Sequence, residues 1–156
     1  MFNTEIITEK AHFAWLETLK DDATKLYFLA YLDDVPAAVV DFTSIDYQNK
    51  TCEWGFYLFE NAQLIGALLE HLLLNYVFAV LKIDLLYCRV LAENVSVYRL
   101  HTKRFPFVQN SCYNFLCKDR LFNGLSLTKT LWQERRVAME QMLRLVFDFS
   151  AVVWER

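Results

Sequence analysis

Glycine and proline are scarce. The 156 residues hold three glycines and two prolines, and no linker, repeat or low-complexity segment divides them. A single domain over residues 1–156 is expected, with 55% hydrophobic residues to fill its core. Positive charge is not in excess either. The net charge is −3, and apart from Lys103-Arg104 and Arg135-Arg136 the basic residues are dispersed, which argues against a nucleic-acid partner. Cys52, Cys88, Cys112 and Cys117 lack CxxC spacing and read as reduced thiols. His12, His71 and His101 form no HxxxH or HExxH pair, so no metal site is expected. No leader-like segment opens the chain, and its longest apolar run, Leu64 to Leu81, is broken by Glu70, His71 and Asn75. A cytoplasmic protein without a membrane partner is the expectation.

Aromatic residues, by contrast, are plentiful: thirteen Phe, eight Tyr and four Trp. They suit a thick core and, where exposed, a homodimer contact.

Periodicity supplies the elements. Phe13, Leu16 and Leu19 follow Thr8, a candidate N-cap, at helical spacing. Residues 25–32 and 36–46 are β-branched and aromatic, joined by Asp33-Asp34-Val35 as an antiparallel hairpin. A turn at 48–50 leads to a central strand over 51–59, then a long helix from Gln63 to Leu81 and a strand over 85–91. Strand, helix and strand make a right-handed crossover, so strands 51–59 and 85–91 are expected to be parallel. A second helix covers 94–104. A terminal hairpin, 107–118 with 125–132, turns around Asn123-Gly124, and a C-terminal helix spans about 134–150. The fold class is α/β (α+β): a mixed central sheet with antiparallel N-terminal strands, one parallel crossover pair and flanking helices.

A helix that starts just after a central strand directs unpaired N–H groups and its positive dipole end beyond the strand tip, a favourable place for pyrophosphate. Here the donors would be the amides of Gln63 to Ala67, with Gly66 permitting close approach. Gly66 is equally explained as a packing residue in an apolar helix, and spacing alone does not separate the two.

The segments "CEWGFYLFEN" and "AENVSVYRLHTKRFPF" resemble the GNAT superfamily of acetyl-CoA-dependent N-acetyltransferases, over about residues 25 to 131. In that family a central strand is followed by a Q/R-x-x-G-x-G/A loop, a long helix, a parallel strand and an N-x-x-S-I-x-L-Y-E-K-x-G-F-like segment. With Gly66 as the final glycine of the loop, Asn61 takes the Q/R position and Leu64 the first glycine. With Gly66 as the first glycine, Gln63 takes the Q/R position and Leu68 stands where Gly or Ala belongs. The resemblance implies that acetyl-CoA is held along Leu58, Phe59, Asn61, Gln63, Leu64, Ile65, Gly66 and Ala67, a backbone N–H near Leu58 polarising the thioester carbonyl. Asn94 matches the asparagine that touches the pantetheine arm or holds the strands apart; as a residue type it is also an N-cap. His101 occupies the position of the tyrosine that protonates the departing thiolate, a step imidazolium also performs, with Tyr98 as the competing acid. "KRFPF" replaces "KxGF" with one residue inserted.

Glu53 is the general-base candidate, its alternative being a partly solvated strand glutamate. His71 reads as structural, and Cys112 and Cys117 as buried thiols. The acceptor implied is the amino group of a nucleotide-linked amino sugar, as in pseudaminic acid biosynthesis for flagellin glycosylation. A peptide N-terminus, a polyamine, or a non-catalytic acyl-CoA-binding role are the alternatives.

Overall fold

Two short turns with left-handed backbone fix the registers of the sheet. Asp33 and Asp34 have φ of 50° and 63°, and Lys118 and Asp119 of 47° and 61°, the pattern of a two-residue hairpin whose twist matches its strands. The computed structural model describes residues 6–151, without the side chains of Asn61 and Ala151.

Helix α1 (Glu9–Leu19) opens the described chain, capped by Thr8, whose Oγ1 accepts the Ala11 N–H at 3.3 Å. It is followed by β1 (Leu26–Leu32), β2 (Val35–Asp46) and β3 (Thr51–Leu58). A 3₁₀ turn over Glu60–Ile65 runs into α2 (Gly66–Ala79), which crosses back to β4 (Leu85–Leu91). Next come α3 (Val95–Arg99), a π-helical turn (Leu100–Arg104), β5 (Val108–Gln109), β6 (Phe115–Cys117), β7 (Arg120–Thr128) and α4 (Lys129–Leu143).

The strands form one seven-stranded sheet in the order β1-β2-β3-β4-β7-β5, with β6 also on β7. The antiparallel N-terminal hairpins and the parallel β3–β4 pair agree with the sequence. Leu69, Leu73, Leu74, Val77 and Phe78 of α2 pack on Val40, Phe42, Cys52, Trp54, Leu86 and Cys88 of the sheet. At about 1.5–3 kcal/mol per buried aliphatic or aromatic side chain, this layer dominates stability. By length and composition, Ala62–Ala79 is apolar enough to cross a membrane, yet over half of it is buried within the fold. Trp132 and Met139 of α4 cover its other side.

Three expectations are corrected. The terminal hairpin turns at Lys118-Asp119, not at Asn123-Gly124, which lies inside β7. A Cβ on Gly124 would fall 2.5 Å from the Asn110 carbonyl oxygen and 2.6 Å from Tyr113 Cβ. Gly124 thus answers a close backbone approach rather than a turn. The C-terminal helix starts at Lys129, because Thr128 caps it, accepting the Leu131 N–H at 3.3 Å. It ends at Leu143, well before residue 150. The helix expected over 94–104 is α-helical only to Arg99. Beyond it Phe105 N–H reaches the Leu100 carbonyl at 3.1 Å, a wide i→i+5 closure.

Candidate active site

The parallel ladder of β3 and β4 is short. It joins Thr51 to Leu85, Cys52 to Leu86 and Glu53 to Tyr87, and stops there although both strands continue. Phe59 N–H bonds the Ala37 carbonyl, so the odd residues of β3 direct their backbone groups to β2 and the even ones away from it. Phe56 and Leu58 therefore turn N–H and C=O toward the open side. By the same parity, Ala92 N–H on Leu121 directs the even residues of β4 to β7 and leaves Arg89 and Leu91 facing β3. The result is a wedge between two facing strand edges.

Below the wedge, on the α2 side of the sheet, lies His101. It is 4% exposed, its Nδ1 is 2.7 Å from Glu70 Oε1, and the rings of Trp54, Phe56 and Phe107 surround it at 5.5, 6.3 and 5.1 Å. Burial raises the Glu70 carboxyl above its ordinary range, and the His101 charge opposes that rise. Tyr98, one turn earlier, is half-buried and its hydroxyl lies 3.4 Å from Gln109 Oε1.

On the opposite face, alternation along β2, β3 and β4 brings Asp41, Glu53 and Arg89 together. Arg89 Nη1 is 3.5 Å from Glu53 Oε2, and the Glu53 side chain is 15% exposed. Burial pushes the Glu53 carboxyl up, while Arg89 pulls it down. Asp41 is pushed up to about 6 by burial and by the Glu53 charge. It stands opposite Gly55, whose missing side chain leaves room above β3. Tyr113 stacks on Tyr87 at 4.0 Å and 6° alongside, and Arg89 lies over the Phe115 ring at 5.2 Å.

Asp41 was not among the sequence candidates. One of two acids in "PAAVVDFTSID", Asp41 looks like an ordinary outward strand residue until its partner across the ladder proves to be a glycine. A carboxyl raised in the fold binds its proton more tightly there than in the unfolded chain. It thus lowers stability as pH rises from near 4 through about 6. Asp41→Asn should stabilise the protein at pH 7.5 by on the order of 1–2 kcal/mol, with no gain at pH 4, as read by urea unfolding at both pH values.

The remaining candidates fall at the start of α2 and in α3. Gly66 is buried at the first position of α2, where a Cβ would meet Leu58 Cδ1 at 3.1 Å, so the glycine lets the helix begin tight against the end of β3. Instead of an open loop, Gln63, Leu64 and Ile65 lie in the 3₁₀ turn, in which Ala62 N–H is already committed to the Phe59 carbonyl at 3.0 Å. The amide set expected over Gln63 to Ala67 is correspondingly reduced, because such turns consume N–H groups in i→i+3 bonds. The side chain of Asn61 lies outside the described residues. Gln63 Nε2 donates to the Phe59 carbonyl at 3.2 Å, and Leu64 is exposed. Asn94 caps α3, its Oδ1 accepting the Val97 N–H at 3.2 Å. Beside Leu64 and Ala67, a surface groove runs between the π turn and α4, and Arg99, Lys103 and Arg104 line it, a cationic set the sequence reading had left unassigned.

His71, next to Glu70, is structural. Asn75 Nδ2 donates to His71 Nε2 at 3.0 Å while Asn75 Oδ1 accepts Trp132 Nε1–H at 3.1 Å, tying α2 to α4, and burial holds the imidazole neutral. Among the described residues no group of three His, Cys, Asp or Glu side chains is arranged to hold a metal.

No family model matches the chain. Over 98 residues it is 32% identical to the acetyltransferase PseH of Campylobacter jejuni, a stretch covering 63% of this chain and 61% of that protein. The chain thus spans about three fifths of the curated relatives it matches. The crystal structure of C. jejuni N-acetyltransferase PseH in complex with acetyl coenzyme A superposes with a TM-score of 0.66 at 28% identity, over 80% of this chain and 82% of that one. Spermidine N-acetyltransferase from Vibrio cholerae, in complex with CoA and spermine, reaches 0.76 at 15% identity, over 85% and 82%. The fold is that of the GNAT N-acetyltransferases, and the chain resembles PseH in sequence as well.

Proposed function

We propose that the protein transfers the acetyl group of acetyl-CoA to a primary amine in the cytoplasm, and that the amine belongs to a nucleotide-linked amino sugar. The β3–β4 wedge carries this reading, because two unpaired strand edges suit an extended amide-bearing arm and a backbone donor near Leu58 suits a thioester carbonyl. The cations Arg99, Lys103 and Arg104, with the amino end of α2, match the charge of a pyrophosphate and a ribose phosphate. Similarity to the PseH structure in complex with acetyl coenzyme A supports the donor, and the Tyr87–Tyr113 stack offers an aromatic surface to a sugar nucleotide.

In this reading the neutral amine attacks the thioester carbon, the new C–N bond forms and the C–S bond breaks. Glu53 takes the surplus proton from nitrogen, and His101 gives a proton to the leaving thiolate. Solvent then restores both groups, so the net products are amide and thiol.

The test is thiol release with nucleotide-linked 4-amino sugars, peptide N-termini and polyamines in parallel. Turnover is expected with the amino sugar. Turnover only with another class overturns the acceptor assignment, and CoA binding without any turnover leaves a binding module. Glu53→Gln should lower kcat/KM about 10²-fold with the KM for acetyl-CoA little changed. A homodimer is part of the proposal: Phe13 of α1 is more than half exposed, Trp15 and Leu16 more than a third, and α1 buries none of its residues. A monomer by light scattering at working concentration would remove it.

A further inference from the structure

We propose that Glu70 is a positioning residue for the acetyl-transfer site, fixing the tautomer and orientation of His101 by accepting its Nδ1–H so that Nε2 serves the leaving thiolate. This rests on the assignment of His101 as the acid.

The pair is an unusual use of a core helix. Glu70 is fully buried on α2, and its second oxygen, Oε2, has no hydrogen-bond partner among the described residues. A half-satisfied buried carboxylate costs stability, and an apolar residue of similar volume would serve packing as well or better. Its one described polar contact is His101, at 2.7 Å. With Nδ1 held by Glu70, the imidazole has one remaining polar atom, Nε2, which has no partner among the described residues. The surrounding rings of Trp54, Phe56 and Phe107 offer it no acceptor, although the even residues Trp54 and Phe56 flank the wedge.

The backbone contributes to this placement. The π turn begins at Leu100, one residue before His101, and Phe105 N–H closes it on the Leu100 carbonyl. Single π turns of this kind gather at functional sites. An imidazole oriented by a carboxylate at one nitrogen and free at the other is the standard arrangement for moving a proton at the free nitrogen. The carboxylate also stabilises the imidazolium that must form. His71, one residue along, differs in its orienting group: its Nε2 is held by the Asn75 amide, and its buried Nδ1 has no partner among the described residues.

The titratable neighbours are few, which makes a pH profile interpretable. Glu70 faces His101 from α2. Cys88 on β4 lies near Glu70, its thiol raised by burial and by that carboxylate. Trp54, Phe56 and Phe107 carry no titrating group, and on the same segment Tyr98, Arg99, Lys103 and Arg104 are the other ionisable side chains.

Three measurements test the proposal. In Glu70→Gln, kcat should fall ~10- to 100-fold with the KM for acetyl-CoA within about twofold. The basic limb of the kcat profile should move to lower pH, because the imidazolium has lost its counter-charge. An unchanged limb with a folded variant overturns the role of Glu70. ¹⁵N NMR of histidine in the unaltered chain should show the Nδ1–H tautomer at His101, and an Nε2–H tautomer overturns the proposal even if Glu70→Gln fails to fold. His101→Gln separates the two levels. If it keeps full activity, the underlying acid assignment fails; if it loses activity while Glu70→Gln keeps its profile, only the positioning role fails.

Discussion

Gly124→Ala lowers the unfolding free energy by about 3 kcal/mol or more, the largest stability loss expected from a single methyl group in this chain. The added carbon would lie 2.5 Å from both the Asn110 oxygen and the Tyr113 carbonyl carbon, and 2.6 Å from Tyr113 Cβ. Two of these are backbone atoms, which cannot swing aside as a side-chain tip can. Separation would break the Asn110 N–H bond to the Gly124 carbonyl, 2.9 Å, and the Gly124 N–H bond to Asn114 Oδ1, 2.8 Å. It would also lift Tyr113 from Tyr87, so the KM for the acceptor should rise along with the instability. The other glycines supply the contrast. At Gly66 the contact is the flexible tip of Leu58, at 3.1 Å, and at Gly55 it is an ordinary 3.4 Å to Asp41. Gly66→Ala and Gly55→Ala should each change stability by less than ~1 kcal/mol. Urea denaturation of the three variants decides the matter, and a Gly124→Ala protein as stable as the parent would mean that the strand excursion over β7 is wrong.

His101→Gln should lower kcat by ~10²-fold or more while leaving the fold and the KM for acetyl-CoA close to those of the parent. Glutamine is chosen because its amide still donates to Glu70, whereas phenylalanine would strand a buried carboxylate and confuse lost chemistry with lost stability. Tyr98→Phe is the companion. Its hydroxyl makes only a long 3.4 Å contact with Gln109, and its removal should change kcat by less than about threefold. Steady-state rates with a saturating amine compare the two directly. A larger loss in Tyr98→Phe than in His101→Gln would transfer the acid role to the tyrosine.

Much of the scaffold could be read from periodicity, because burial imposes it. Phe42, Trp54, Leu73 and Leu86 lie in the core that alternation and helical spacing implied. The parallel crossover followed from element order alone. The misread elements were those whose local signal had a second use. Asn123-Gly124 carries turn chemistry, yet the glycine is needed for a crossing backbone, while the actual turn, Lys118-Asp119, lacks glycine. Thr128 continues a strand-like run, but its hydroxyl caps a helix.

At the candidate site, Glu53 and His101 were visible as residue types at significant positions. Asp41 and Glu70 were not, since each owes its character first to burial and then to a charged group on another element, 12 and 31 residues away in sequence respectively. Gly66 was visible, but its reason was not: the neighbour it accommodates is Leu58.

The early end of the β3–β4 ladder also makes the molecule its own occupancy gauge. Amides of Phe56, Leu58, Arg89 and Leu91 should exchange with solvent quickly for residues so central in a sheet, since no partner strand shields them. Filling the gap with an extended arm should slow these four while leaving the flanking β2 and β7 amides as they were. Counting protected amides would then report the bound fraction before any acceptor is known.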